Sequence, residues 1–328
     1  MILVTGGAGF IGSTLVAALN AAGRGDIAVS DRLRHGPKWR NLAKREIRDF
    51  IFPEDLPAYL AERGAAIEAV LHMGAVSSTT ETDADLIVRS NFQLSAALWD
   101  FCAARQIPMI YASSAATYGD GGAGFDDDGS PDALARLAPL NAYGWSKHAF
   151  DRRIARLLAT GGPAPPQWAG LKFFNVYGPN EYHKGAMQSV VAQIFPKARA
   201  GEPCRLFRSH HSDYADGGQM RDFVLVDDCV NVVLWLLDNP GVSGLFNMGT
   251  GTPRSFADLA TAVYRALGRD PEIEFIDTPA NIRDKYQYYT AAEMDRLRQA
   301  GCDVPFTSLE EGVTFYVSEF LNTDDPYR

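Results

Sequence analysis

Ile2-Leu-Val-Thr-Gly-Gly-Ala-Gly-Phe-Ile-Gly-Ser-Thr-Leu-Val-Ala-Ala-Leu19 passes from an apolar run through three spaced glycines into residues with helical apolar spacing. Ile2 to Thr5 reads as a buried strand, and Leu15, Val16 and Leu19 recur on one helix face. Strand, glycine turn and helix in that order aim helix N-terminal amides at the turn, where an anion is held. Gly6 permits the tight turn, Gly9 lets backbone approach a pyrophosphate, and Gly12 lets the helix pack on the strand, with Phe10 and Ile11 between them. The expected ligand is a dinucleotide.

Working outward, Ile27-Ala-Val-Ser-Asp31 reads as a second strand ending in an acid about twenty residues beyond the turn, where a ribose-binding carboxylate belongs. Asp31 alone suggests NAD. Arg32, Arg34 and Lys38 follow at once and supply the cations a 2′-phosphate requires, so the sequence favours NADP, with NAD as the alternative and Arg34 open to being plain surface charge. Ala69-Val-Leu-His72 reads as a further parallel strand leading into Met73-Gly-Ala-Val-Ser-Ser78, and ligands sit outside such strand ends. His72, among apolar neighbours, reads as a core histidine. A helix is expected from about Asp85 to Arg105, with Asn91 either tolerated inside it or facing the cofactor.

Strand Ile107 to Ala112 then delivers Ser113 and Ser114, and a helix from about Asn141 to Ala159 carries Asn141-Ala-Tyr-Gly-Trp-Ser-Lys147. Tyr143 and Lys147 are four apart and so share a helix face. A phenol that ordinarily ionises near pH ~10 becomes a usable base when an ammonium favours the phenolate. Ser114, if its strand ends beside that helix, is positioned to hydrogen-bond the oxygen under attack.

Alternating strands and helices as far as Pro179 argue an α/β fold, a doubly wound parallel sheet of Rossmann type. Gly170 to Pro179 reads as a strand that breaks into a loop at Tyr177, and the acidic run Asp126-Asp-Asp128 reads as solvated. Beyond Pro179 a smaller substrate domain is expected. The division places residues 1–175 plus about 222–250 with the dinucleotide, and about 176–221 plus 251–328 with the substrate. Val190 to Arg199 reads as a helix, Ser209 to Gln219 as a mobile surface insertion, and Arg221 to Asp227 as a short strand. Ser255-Phe-Ala-Asp258 is a capping box, and a last helix spans about Ser308 to Phe320. His210 and His211 are adjacent and point apart, so no metal site is expected.

The 328 residues carry a formal net charge of -9, which argues against nucleic acid or an acidic membrane surface as partner. An anionic ligand therefore needs a local basic pocket. No signal peptide is read in the first residues and no apolar stretch is long enough for a bilayer, so a cytoplasmic protein is expected. Cys102, Cys204, Cys229 and Cys302 lack CxxC spacing and read as reduced packing residues.

The GxxGxxG turn, Ser114, Tyr143 with Lys147, and Arg221-Asp-Phe-Val together resemble the extended short-chain dehydrogenase/reductase family of nucleotide-sugar epimerases and dehydratases. Ser77-Ser-Thr-Thr-Glu81 and His183-Lys-Gly185 narrow the resemblance to epimerases acting on an ADP-sugar. What it implies is epimerisation at C6 of an ADP-glycero-manno-heptose, a lipopolysaccharide core precursor, by oxidation to a carbonyl and re-reduction from the other face. The alternatives are another nucleotide-sugar 4-epimerase or 4,6-dehydratase, and a non-catalytic dinucleotide sensor on the same fold. The resemblance assigns Tyr143 and Lys184 as the two acid/base groups, Ser114 as the carbonyl's partner and Lys147 as the ribose's. Without it Lys184 reads as an exposed loop lysine. It adds Asp49, Met73, Gly74, Ala75, Ser77, Asn91, Val176 and Lys184 to the cofactor site. Asn175, Ala186, Gln193, Phe207, Arg208, Ser209 and His210 would hold the substrate, with Arg221 and Tyr286 near its diphosphate. From the residues alone, the competing reading of Arg221 is an ion pair with Asp222 or another acid. The chain departs from the family pattern at Met73, where glutamate is usual, and at Pro53, where a lysine is expected. A homo-oligomer is implied, a pentamer being one such assembly.

Overall fold

All four residues of Ile2–Thr5 are buried and form strand β1. The computed structural model describes residues 1–279, 283 and 287–328. The strands that follow are β2 (Ile27–Ser30), β3 (Asp49–Ile51), β4 (Ala69–His72), β5 (Met109–Ser114), β6 (Trp168–Phe173), β7 (Asn175–Tyr177), β8 (Cys204–Phe207), β9 (Met220–Arg221), β10 (Phe223–Leu225) and β11 (Gly244–Met248). Seven of them make one parallel sheet in the order β11-β6-β5-β4-β1-β2-β3. Progression along the sheet reverses at β1, which pairs with β2 on one side and β4 on the other. That reversal opens a crevice at the C-terminal ends of the strands.

Helices cover both faces, which is why the strands read as continuous apolar runs instead of alternating ones. As far as residue 266 the α-helices are α1 (Phe10–Ala21), α2 (Leu56–Arg63), α3 (Ala84–Ile87), α4 (Leu94–Arg105), α5 (Pro131–Ala135), α6 (Ala142–Ala159), α7 (Val190–Ala200), α8 (Val226–Asp238) and α9 (Phe256–Ala266). Ile2 and Val4 meet Leu15 and Leu19 of α1 and Val230, Val233 and Leu236 of α8. Leu3 points the other way, into Leu98 and Trp99 of α4 and Phe150 and Ile154 of α6. Each such side chain contributes roughly 1.5–3 kcal/mol on burial, so the sheet is held rigid beneath the crevice. All four cysteines are buried and unpaired.

At Gly12 a Cβ would overlap the carbonyl oxygen of Gly6, so only glycine lets α1 lie this close to the turn. Gly12→Ala should force the helix away. The expected result is destabilisation of about 1–3 kcal/mol together with loss of dinucleotide binding, read by thermal melting and by fluorescence of added NADPH. Unchanged binding would show that the close approach has no bearing on the ligand.

Several expectations need correction. The Asp85–Arg105 helix is α3 and α4 joined by a π-helical turn, Val88–Gln93. Phe174 interrupts the 170–179 strand, and β7 leaves the main sheet to pair with β10. Arg221 to Asp227 divides into β9 and β10, β9 pairing with Arg254–Ser255 and β10 with β7. Asp127 is not solvated: it is 2% exposed, accepts a hydrogen bond from Asn247 N at 2.6 Å, and pairs with Arg296 at 3.1 Å. Burial raises its carboxyl above the ordinary value, against the Asn247 and Arg296 bonds. Within residues 209–219 Ser209 N donates to Asp216 at 2.8 Å, and the rings of His211 and Tyr214 lie 5.3 and 5.2 Å from that of Tyr288.

Beyond Phe174 a third core forms around Tyr177, Phe195, Leu206, Phe223, Val263 and Tyr316. Among the described residues no helix is long and apolar enough to cross a membrane.

Candidate active site

Ser114 ends β5, and its Oγ accepts from Ala116 N at 3.1 Å, turning the chain into a 3₁₀ turn. Asn141 caps α6 by accepting from Gly144 N at 2.8 Å. A Cβ on Gly144 would stand 2.6 Å from Ala116 O, so glycine allows the helix start to abut the turn after Ser114. That contact brings the Tyr143 phenol up to Ser114. Burial raises the phenol's pKa, and Ser114 pulls it back. Lys147, one helical turn on, is 3% exposed and donates to Ala112 O at 2.6 Å. Burial pushes its amine down to about 8, opposed by Asp151. The phenolate-stabilising ammonium expected from spacing is thus engaged by a backbone carbonyl.

Asp151, one further turn along the same face, has no counterpart among the expected residues. Its carboxylate pairs with Lys172 at 2.9 Å, both side chains fully buried, and accepts from Ser113 at 2.7 Å and Tyr111 at 3.1 Å. Lys172 also donates to Thr117 at 2.8 Å and lies 5.0 Å above the Tyr118 ring. A lysine inside the apolar run Gly170–Phe174, and an acid four beyond Lys147, were the available signals.

At the glycine turn, Asp31 accepts from Ala8 N at 2.9 Å and from Lys38 at 2.6 Å, and Arg32 pairs with Glu54 at 2.9 Å. Gly9 precedes α1, which Phe10 and Ile11 open. Met73 N donates to Thr5 O at 3.1 Å and Gly74 N to Thr5 Oγ1 at 3.2 Å, so the segment through Ala75 and Ser77 runs on beside Gly6 at the strand ends. His72 lies in the core between Thr5 (2.6 Å) and Ser95 (2.8 Å), its imidazole pushed down to about 3 by burial and then by Lys147. Bare backbone at Gly6–Gly12 beneath helix α1 fits a dinucleotide pyrophosphate.

Two of the expected cofactor residues carry protein partners. Asp49 pairs in register with Ala28, at the N-terminal end of β3, and its carboxylate accepts from Tyr59 at 2.6 Å. It faces away from the crevice. Asn91 is fully buried, exchanging hydrogen bonds with both backbone groups of Val76 (2.8 and 3.0 Å) and donating to Ser146 (3.0 Å). It braces the 73–78 segment against α6, with its amide already engaged.

Lys184 lies in a 3₁₀ turn, Tyr182–Met187, with its ammonium 5.1 Å above the Phe10 ring. Burial lowers its pKa and Glu181 opposes the shift. Since β4 lies between β1 and β5, Lys184 on the Phe10 side and Tyr143 on the Ser114 side flank the end of β4. Asn175 and Val176 sit on β7, at the edge of the third core. Gln193 is exposed and donates to Gln188 O at 2.7 Å and Ala186 O at 3.4 Å. Phe207 closes β8; Arg208 donates to Phe275 O at 3.2 Å and His210 N to Tyr288 Oη at 2.8 Å, with Ser209 between them. Arg221 donates to Met220 O at 2.8 Å and Gln287 O at 2.5 Å and stacks on Phe256. The alternative Arg221–Asp222 pair is not what Asp222 makes. Its carboxylate gathers Thr250 N (2.7 Å), Gly251 N (2.9 Å) and Ala292 N (2.9 Å). Tyr286 lies outside the described residues.

Among the described residues no group of three or more His, Cys, Asp or Glu side chains is arranged for a metal ion. A cavity of ≈ 670 Å³ lined by Trp145, Arg152 and Arg156 opens on the outer side of α6, away from Ser114 and Tyr143.

The chain is 50% identical over 329 residues to an ADP-L-glycero-D-manno-heptose-6-epimerase of Nitratidesulfovibrio vulgaris, with all of both chains covered. It is 46% identical over 335 residues to the enzyme so named in Fusobacterium nucleatum, again across both full lengths. The crystal structure of the Helicobacter pylori ADP-L-glycero-D-manno-heptose-6-epimerase superposes with a TM-score of 0.77 at 27% identity, covering 97% of this chain and 95% of that one. Residues 2–249 match the NAD dependent epimerase/dehydratase family, and to that family the chain belongs.

Proposed function

We propose that the protein interconverts the 6-epimers of an ADP-glycero-manno-heptose, using a tightly held NADP and making no net redox change. The observation that carries this reading is the contact of Tyr143 with Ser114 on one flank of the β4 end, with Lys184 on the other. One carbonyl approached from both faces requires two proton-transfer groups. A nicotinamide held at the glycine turn would supply the hydride acceptor and donor. Tyr143 takes the hydroxyl proton on one face and Lys184 serves the other, while Ser114 donates to the carbonyl oxygen and Lys147 holds the ribose. Burial of both lysines brings their amines closer to neutral pH, where proton exchange is easiest. Arg221 and the 207–210 segment are assigned to the nucleotide-sugar, in the substrate domain of residues about 176–221 and 251–328. A cytoplasmic homo-oligomer, a pentamer among the options, completes the reading.

Two measurements test it. Either 6-epimer incubated with the protein should give a mixture of both by NMR with no NADPH consumed; unmixed epimers overturn the assignment, and turnover of a UDP- or dTDP-sugar instead would favour a 4-epimerase or 4,6-dehydratase. For the cofactor, a 2′-phosphate can draw Lys38 and Arg32 away from Asp31 and Glu54, so NADP should bind more tightly than NAD by about tenfold or more in calorimetric titration, the worth of one charge-assisted contact. Equal affinities, or preference for NAD, would overturn NADP.

A further inference from the structure

Asn41 is 0% exposed, has no assigned role above, and touches two distant segments at once. Its Nδ2 donates to Ala8 O in the glycine turn at 2.9 Å and to Asn180 O at 3.0 Å, and lies 3.2 Å from His183 Nδ1. Two carbonyl acceptors fix the amide's orientation, since only the NH₂ end can serve both. Asn41 Oδ1 is buried without a protein partner. On the far side, Asn180 takes the left-handed backbone conformation, φ 73°, and its own side chain donates to Ser13 of α1 at 3.0 Å. His183 immediately precedes Lys184, whose ammonium rests on Phe10 at the other end of the same glycine turn. The turn and the Lys184 loop are thus sewn together by two buried asparagines separated by 139 residues of sequence.

We propose that Asn41 is a positioning residue for Lys184: its buried amide ties the dinucleotide-binding turn to the loop carrying that lysine, so that Lys184 is set at the strand ends by the turn in its binding shape. The proposal deepens the epimerase reading and rests on it for the role of Lys184. Physically, the Asn41 amide is the donor that joins Ala8 O to Asn180 O, and both backbone carbonyls would lose that partner with it. His183 supports the latch as a neutral imidazole, held down to about 4 by burial, then by Lys38 and Lys184.

The test compares Asn41→Ala and Asn41→Ser, which keeps one donor, with the wild-type protein and with the same changes in a Lys184→Ala background. Turnover of the ADP-heptose should fall about ten- to hundredfold in Asn41→Ala with KM changed less than about threefold, as for a group acting only when the reaction is under way. The high-pH limb of the rate profile should move up by about one unit as Lys184 becomes more solvated. Asn41→Ser should recover part of the rate. In the Lys184→Ala background the Asn41 change should cost little more, because residues acting through one group are not additive. Wild-type turnover in Asn41→Ala, or a full additive loss in the double variant, overturns the proposal. The two readings fail separately: if the wild type leaves the epimers unmixed, the function fails, whereas a wild type that mixes them and an Asn41→Ala variant that mixes them as fast overturn the latch alone.

Discussion

Tyr143→Phe should fold, bind dinucleotide as the parent does, and turn over about 10²–10⁴-fold more slowly, the range general acid–base groups contribute. The substitution removes one oxygen from a half-buried ring and leaves Ser114 Oγ its bond from Ala116 N, so little structure depends on the hydroxyl. Its phenol is held above the ordinary value by burial and drawn back by Ser114. A base in that state gains from whatever positive charge arrives beside it when the site is filled, which makes turnover sensitive to the hydroxyl although stability is not. Steady-state turnover, NADPH titration and a thermal melt on the same preparation separate the two effects. A loss smaller than about tenfold, with binding intact, would remove Tyr143 from the chemistry and leave Lys184 as the group to pursue.

Lys172→Met is expected to have the largest effect on stability, about 3–5 kcal/mol, because it strands the Asp151 carboxylate in the core without its cation. Both side chains are fully buried, and Asp151 retains only Ser113 and Tyr111 as neutral donors. Asp151→Leu should be comparably costly, since it strands the Lys172 ammonium. The double variant should lose much less than the sum, for then no charge is left unpaired. Urea denaturation of the four proteins measures this directly, and additive losses would mean that the two ions do not act as a pair. The network also touches the site. Asp151 favours the charged form of Lys147, so Asp151→Asn should lower the Lys147 amine further below about 8.

What the sequence made legible was local: strand, glycine turn and helix at 2–19, and the Ser114, Tyr143 and Lys147 spacing. The contacts it concealed join residues far apart. Asp127 reads as one of three solvated acids until Asn247 and Arg296 are seen against it. Asn41 is an ordinary polar residue in a charged stretch until it meets residue 180. Asp49 is a different case: which end of β3 it occupies depends on the register with β2, and that register leaves no mark in a three-residue strand. The protein partners of Asn91 stay hidden because a helix drawn with uniform pitch cannot show a π turn.

That π turn at Val88–Gln93 works as a phase shifter. A single extra residue rotates everything after it by about 100° relative to a uniform α-helix. Within the shift the helix must hand Asn91 to the 73–78 segment, and after it Leu98, Trp99 and Cys102 must meet the underside of the sheet. Deleting one residue between 88 and 93 would set the two demands against each other, so ligand loop and core are coupled there by chain length, whichever side chains fill the intervening positions.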